Sequence, residues 1–394
     1  MTNLTTGDVT AHVELQSGGQ LLIHATRALL PDASDMCEGW VKTVDGIVTA
    51  YGVGAAPGTP DIDWDGVLSP GFVDVHSHGG GGANFGDGIA SARTVLATHR
   101  AHGTTTMIGS LVTQRIDELA AQLSQLTPLV RSKELAGVHL EGPWLAEKYH
   151  GAHPIARLRA PIAADIEQLL TVGNEQLPAA QQLVRLVTIA PELDGALAAI
   201  AQLVARRVTV AIGHTACDYD TACAAISLGA TGATHLFNAM PELLHRAPGP
   251  ALALWEHPQV WTELICDATH VSAALVAQVM RSKPTRCVLV SDAMAAAGAA
   301  DGEYQLGELS VTVTAGISRV TGSAQIAGST LTLDRAVRTA VAAGVPVALA
   351  LRAATAHPAT YLGLSGVGSL TVGNRANMVL LDDALLPQQV FIAS

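Results

Sequence analysis

The chain has 394 residues, 49% hydrophobic and only 4% aromatic, with a net charge of −12 from 22 Lys+Arg against 34 Asp+Glu. The acidic balance and the absence of a basic cluster argue against a nucleic-acid partner. No apolar run reaches the roughly 18 uninterrupted residues that a membrane-spanning helix needs, so no membrane partner is expected.

The N-terminus, MTNLTTGDVTAH, has no basic residues leading into an apolar core, so no secretory leader is expected. Five scattered cysteines (Cys37, Cys217, Cys223, Cys266 and Cys287) with no CxxC pair read as reduced thiols of a cytoplasmic protein.

Residues 1–68 read as short strands punctuated by turns. Segments 21–25 and 39–51 are strand-like, the second broken at Asp45-Gly46, a strong hairpin signal. From residue 69 the pattern changes to β-rich runs alternating with Ala/Leu stretches, as βα units require. Candidate strands fall at 72–76, 104–110, 136–140, 185–190, 208–213, 231–235, 262–266 and 287–291. Between two of them, ALAAIAQLVARR (196–207) is an amphipathic helix feeding straight into a strand. Small aliphatics suit helices packed tightly around such a parallel sheet.

Eight strands within 69–366 fit a closed (β/α)₈ barrel of the TIM-like, α/β class. A doubly wound sheet is the alternative, but Gly79–Gly82 lacks the GxGxxG spacing of a phosphate turn. That glycine run reads instead as backbone room. Residues 367–394 return to strand character (GSLTVGNRANMVLLDD) and are expected to join 1–68 in a small β-sandwich domain formed by both chain ends.

Barrel enzymes place their chemistry at the C-terminal strand ends. The first candidate strand ends DVHSHG, carrying His76 and His78; the third ends HLEGP, with Glu141. The fifth ends AIGHT with His214, the sixth ATHLFNAM with His235, and the eighth VLVSDAM with Asp292. His76 and His78 are two apart, so a regular strand points both to one side. Mixed imidazole and carboxylate donors suit Zn²⁺ or Fe²⁺ over Mg²⁺ or Ca²⁺. Each histidine taken alone reads as a satisfied structural residue; six such groups at one rim read as a metal centre.

HxH with a strand-eight aspartate resembles the amidohydrolase superfamily. LEGPW (140–144), GHT (213–215), HLFNAMP (235–241), SDAM (291–294) and AGSTLTLDRAV (327–337) resemble the N-acetylglucosamine-6-phosphate deacetylases, in that family's order. The resemblance implies that Glu141, His214 and His235 hold a main divalent ion, with His76 and His78 completing a second position bridged by Glu141, so one or two ions per subunit. Asp292 is implied as general base and then acid, and His153 as a polariser of the acetyl carbonyl. Ala152, Asn238, Ala239, His270, Ala327 and Gly328 are implied to contact the substrate, and Arg246 its phosphate, in its own subunit or across a homodimer.

The blander readings are a loop cap for His153, a packed ring for His270, a surface Arg246 and a turn-forming Asn238. His99, His102, His139 and His257 carry no motif and are read as structural. The implied reaction is deacetylation of a small phosphorylated amino sugar. A cyclic-amide hydrolase is the enzymatic rival, but its usual carboxylated lysine at the end of strand four has no counterpart among Lys42, Lys133, Lys148 and Lys283. A non-catalytic protein on the same frame is the other rival, and it would not need both base and metal histidines.

Overall fold

In the computed structural model the described residues are 12–15, 18–178 and 181–393, so the stretch on which the absence of a leader was judged lies largely outside them. The middle of the chain winds into parallel strands at Phe72–Asp74, Thr104–Met107 with Gly109–Val112, Val138–Glu141, Val184–Ile189, Thr209–Ile212, Gly232–Ala233, Trp261–Ile265 and Cys287–Val290. Each pairs with its neighbour in sequence order. Most of their residues are buried, which fits their near-continuous apolar runs.

The second strand breaks at Ile108, because its two halves serve different neighbours. Thr104–Met107 pairs with the first strand, and Gly109–Val112 pairs with the third. The ring closes between the eighth and first strands, where the Asp292 amide donates to the His76 carbonyl at 2.8 Å. Asp74 crosses the same seam, its Oδ1 accepting from the amides of His76 (3.2 Å) and Ser291 (3.3 Å).

Helices pack outside the strands. Ala196–Ala205 buries Ala196, Ala199, Ile200 and Leu203, one stripe at the 3.6-residue period. Each large aliphatic side chain so buried contributes roughly 1.5–3 kcal/mol.

The chain ends meet as expected, in one continuous seven-stranded sheet with its own core, including Ile23, Val41, Val48, Leu68, Met378 and Phe391. Its hairpin turns at Asp45 (φ 52°) and Gly46 (φ 70°), the left-handed pair that a two-residue turn demands. The run Gly79–Gly82 provides backbone room: a Cβ on Gly79 would stand 2.8 Å from the Ala295 amide nitrogen.

One element lies beyond the sequence-based expectations. Strands Gly302–Leu306, Leu309–Thr314 and Ile317–Val320 form an antiparallel sheet after the eighth barrel strand. Its alternating burial and its turns at Gly307 and Ala315-Gly316 are ordinary hairpin signals. Leu306 and the nearby Gln325 and Ile326 wall the cleft described next.

Candidate active site

Seven of the expected side chains meet at the C-terminal mouth of the barrel. Glu141 Oε1 lies 3.2 Å from His214 Nε2, 3.1 Å from His235 Nε2 and 3.4 Å from His76 Nε2. Its Oε2 lies 3.1 Å from His78 Nε2 and 3.4 Å from His153 Nε2. Asp292 Oδ1 stands 3.4 Å from His76 Nε2 and 3.3 Å from His78 Nε2. All of these residues are buried.

Backbone conformation aims them. His214 (φ 47°), His235 (φ 28°) and Asp292 (φ 46°) all adopt the left-handed region just as their strands end. For residues with a Cβ this costs on the order of 1–3 kcal/mol each, and such outliers cluster where function requires them. The turn brings each side chain over the mouth of the barrel.

Hydrogen bonding on the far side of the His214 and His76 rings fixes which nitrogen faces inward. His214 Nδ1 donates to the Tyr149 carbonyl at 2.8 Å, leaving Nε2 directed at Glu141. His76 Nδ1 lies 3.1 Å from Glu263 Oε2, and a carboxylate only accepts. The inward Nε2 atoms then crowd one another, 3.2 Å apart for His76 and His78 and 3.1 Å for His214 and His235. Lone pairs converging on a carboxylate need positive charge between them. Burial disfavours protonation of His76, but Glu141 and Asp292 outweigh it and raise its pKa well above the ordinary value. The same balance lifts His78 to about 9. A divalent cation meets that demand in place of protons, so the donor set fits a metal ion.

His153 is different. The Thr113 amide donates to its Nδ1 at 3.3 Å, so Nε2 carries the proton. Burial lowers its pKa to about 4 and keeps the ring neutral. Asp292 resists burial through His76 and His78, which hold it below the usual carboxylate range and ionised.

Above these groups opens a cleft of about 360 Å³. Ala152, Asn238, Ala239, His270 and Gly328 line it, and Ala327 is buried next to Gly328. Asn238 also bonds locally, donating to the His235 carbonyl at 3.1 Å. His270 Nδ1 is held by Asp267 Oδ2 at 2.7 Å. Arg246 is exposed on the 242–248 segment and is not part of the cleft wall. The histidines read as structural have local partners: His139 bonds Ser110 and Thr188, both at 2.9 Å, and His99 bonds the Gly79 carbonyl.

A pattern typical of the amidohydrolase family matches residues 67–394. The chain belongs to the amidohydrolase family. Among named relatives of this amidohydrolase, the N-acetylgalactosamine-6-phosphate deacetylase of Escherichia coli O157:H7 is 36% identical over 90% of this chain and 95% of that protein. The N-acetylglucosamine-6-phosphate deacetylase of Vibrio furnissii is 36% identical over 79% of this chain and 78% of its own length. A solved structure of N-acetyl-D-glucosamine-6-phosphate deacetylase from Mycobacterium smegmatis, a variant in complex with N-acetyl-D-glucosamine-6-phosphate, superimposes with a TM-score of 0.90 at 43% identity, covering 95% of this chain and 98% of that one.

Sequence reasoning missed several residues of this amidohydrolase site. Lys148 and Tyr149 stand on the cleft wall and Thr113 supports His153. Glu263 is fully buried, and Tyr361 Oη donates to its Oε1 at 3.3 Å. A lone carboxylate inside the apolar strand WTELI was the available signal for Glu263.

Proposed function

We propose that this amidohydrolase hydrolyses N-acetyl-D-glucosamine 6-phosphate to D-glucosamine 6-phosphate and acetate, in the cytoplasmic catabolism and recycling of amino sugars. The observation that carries the reading is the placement of ionised Asp292 and neutral His153 around Glu141 in a cleft of about 360 Å³, within the range of small-molecule sites. The names of the relatives supply the substrate class.

Amides resist water because resonance weakens the carbonyl as an electrophile and the nitrogen as a leaving group. Glu141, His214 and His235 would hold one divalent ion, Zn²⁺ or Fe²⁺, and His76 and His78 would complete a second position. When bound, such an ion polarises the carbonyl and lowers the pKa of water from 15.7 toward about 7. Asp292 takes the proton of the attacking water. His153 Nε2–H donates to the oxygen that gains charge in the tetrahedral stage. Asp292 then returns the proton to the departing nitrogen, so a neutral amine leaves.

The barrel, 69–366, is the catalytic unit in this reading, with 1–68 and 367–394 as the β domain beside it. Arg246, exposed and outside its own cleft, meets the substrate phosphate across a homodimer. Among the described residues no helix is long and apolar enough to cross a membrane. The test is acetate release by the metal-loaded chain from the 6-phosphates of both C4 epimers, N-acetylglucosamine and N-acetylgalactosamine, with and without chelator. Chelator-sensitive release from the glucosamine compound is expected. Release from neither sugar overturns the reading, and release from the galactosamine compound alone moves the substrate to its epimer.

A further inference from the structure

A second cavity, about 490 Å³, opens at the opposite mouth of the barrel, between the starts of its second, third and fourth strands and the sheet made by the chain ends. Lys133, Arg185 and Arg375 line it. Among the described residues none of the three forms an ion pair. Glu134, the one carboxylate on the wall, is already gripped by Arg93 through two contacts of 2.9 Å and by the Ser132 hydroxyl. Three uncompensated cations in one cavity are unexpected on a chain of net charge −12.

Arg185 is aimed there by construction. Pairing between the third and fourth strands runs from Val138↔Val184 to His139↔Leu186, so Arg185 is the extra residue of a bulge. Bulges redirect a side chain out of the sheet. The redirected side chain passes over Gly137 (φ 153°), where a Cβ would stand 2.6 Å from Arg185 Cγ. Its Nε donates to the Ala136 carbonyl at 3.0 Å, which fixes the plane of the guanidinium and leaves both terminal nitrogens without a protein partner among the described residues. Burial is the one influence resolved on this group, and it disfavours the charge. A planar fork held half-buried without an acceptor is set for a bidentate anion.

We propose that this cavity is a binding site for the phosphoryl group of a small phosphate monoester or of inorganic phosphate, held by the Arg185 fork with Lys133 and Arg375. Leu364 and Val367 on the same wall offer an apolar surface for the body of an ester. Because Arg375 belongs to the segment between the barrel and the final strands while Arg185 and Lys133 belong to the barrel, the bound anion staples the barrel base to the end-derived sheet. This site shares no lining residue with the catalytic cleft.

The test uses the full metal-loaded chain and titrates inorganic phosphate and, separately, D-glucosamine 6-phosphate, read by calorimetry and by melting temperature. Saturable phosphate binding is expected, raising Tm by about 2–5 °C at a hundredfold excess over Kd. Lys133→Glu and Arg375→Gln should each weaken it tenfold or more, with turnover of the catalytic site unchanged; Arg185→Lys keeps the charge but loses the fork and should weaken it at least as much. Tighter binding of the ester, lost in the same variants, assigns the apolar wall to the ester body, and equal binding assigns the site to the bare anion. Phosphate binding that is absent, unsaturable or untouched by both Lys133→Glu and Arg375→Gln overturns the proposal.

Discussion

Glu263 Oε2 lies 3.1 Å from His76 Nδ1, on the side of the imidazole away from Glu141. This contact holds the ring with Nε2 facing the centre, the role that carboxylates beyond the ligands play in histidine metal sites. Glu263 is fully buried on the seventh barrel strand, and its other oxygen accepts from Tyr361. Glu263→Gln should weaken metal binding at the His76–His78 position by about 10–100-fold, seen in a metal titration, while the chain stays folded by circular dichroism. An unchanged titration would show that packing alone orients the ring.

Asp292 carries the proton in both halves of the proposed reaction. Asp292→Asn should lower kcat by about 10²–10⁴ while Glu141, His214 and His235 retain their ion, as elemental analysis would report. Wild-type turnover in this variant would remove the residue from the mechanism.

In the proposed reaction His153 acts as a neutral donor through Nε2, since the Thr113 amide occupies its Nδ1. His153→Phe should cost about 10²–10³ in kcat with a smaller effect on KM. A loss expressed mainly in KM would mark it as a substrate contact.

In the proposed function Arg246 is the cation that meets the phosphate. Arg246→Ala should weaken use of the 6-phosphate roughly ten- to a hundredfold and leave the slow reaction of unphosphorylated N-acetylglucosamine as it was. Equal losses with both sugars would place the arginine elsewhere in the reaction.

Acid stability depends on Asp334, buried at the start of helix Leu333–Ala342. Burial opposes its ionisation, yet His102, Thr332 and Arg338 bring its pKa from 3.8 down to about 2. Because the folded-state pKa is the lower one, the stabilisation is complete above the unfolded value and is lost as pH falls from about 4 through 2. It amounts to about 2 kcal/mol. Asp334→Asn should flatten the stability curve over that window in denaturant titrations, and an unaltered acid limb would refute the assignment.

The candidate metal site was legible because its residues stand at or just beyond the ends of apolar strands: His76, Glu141, His214, His235 and Asp292 each follow a buried run, and the barrel geometry then gathers them. The barrel was legible through eight β-rich runs alternating with Ala/Leu helical stretches. What escaped depends on relations along no single segment. Glu263 supports His76 only because the first and seventh strands approach within the barrel, and Thr113 finds His153 across a separation of 40 residues. The sheet spanning Gly302–Val320 carried ordinary hairpin signals, but nothing local tells that it stands over the cleft. Arg246 sits on an exposed loop outside the cleft wall, so neither its neighbours in sequence nor its fold position fixes its contact.

The most direct test of the shared cation is anomalous diffraction from crystals of the purified protein, recorded at the zinc and iron edges. The account predicts a peak bounded by Glu141 Oε1, His214 Nε2 and His235 Nε2, which vanishes with activity after chelation. A chain with no peak there that still releases acetate in excess chelator would contradict it.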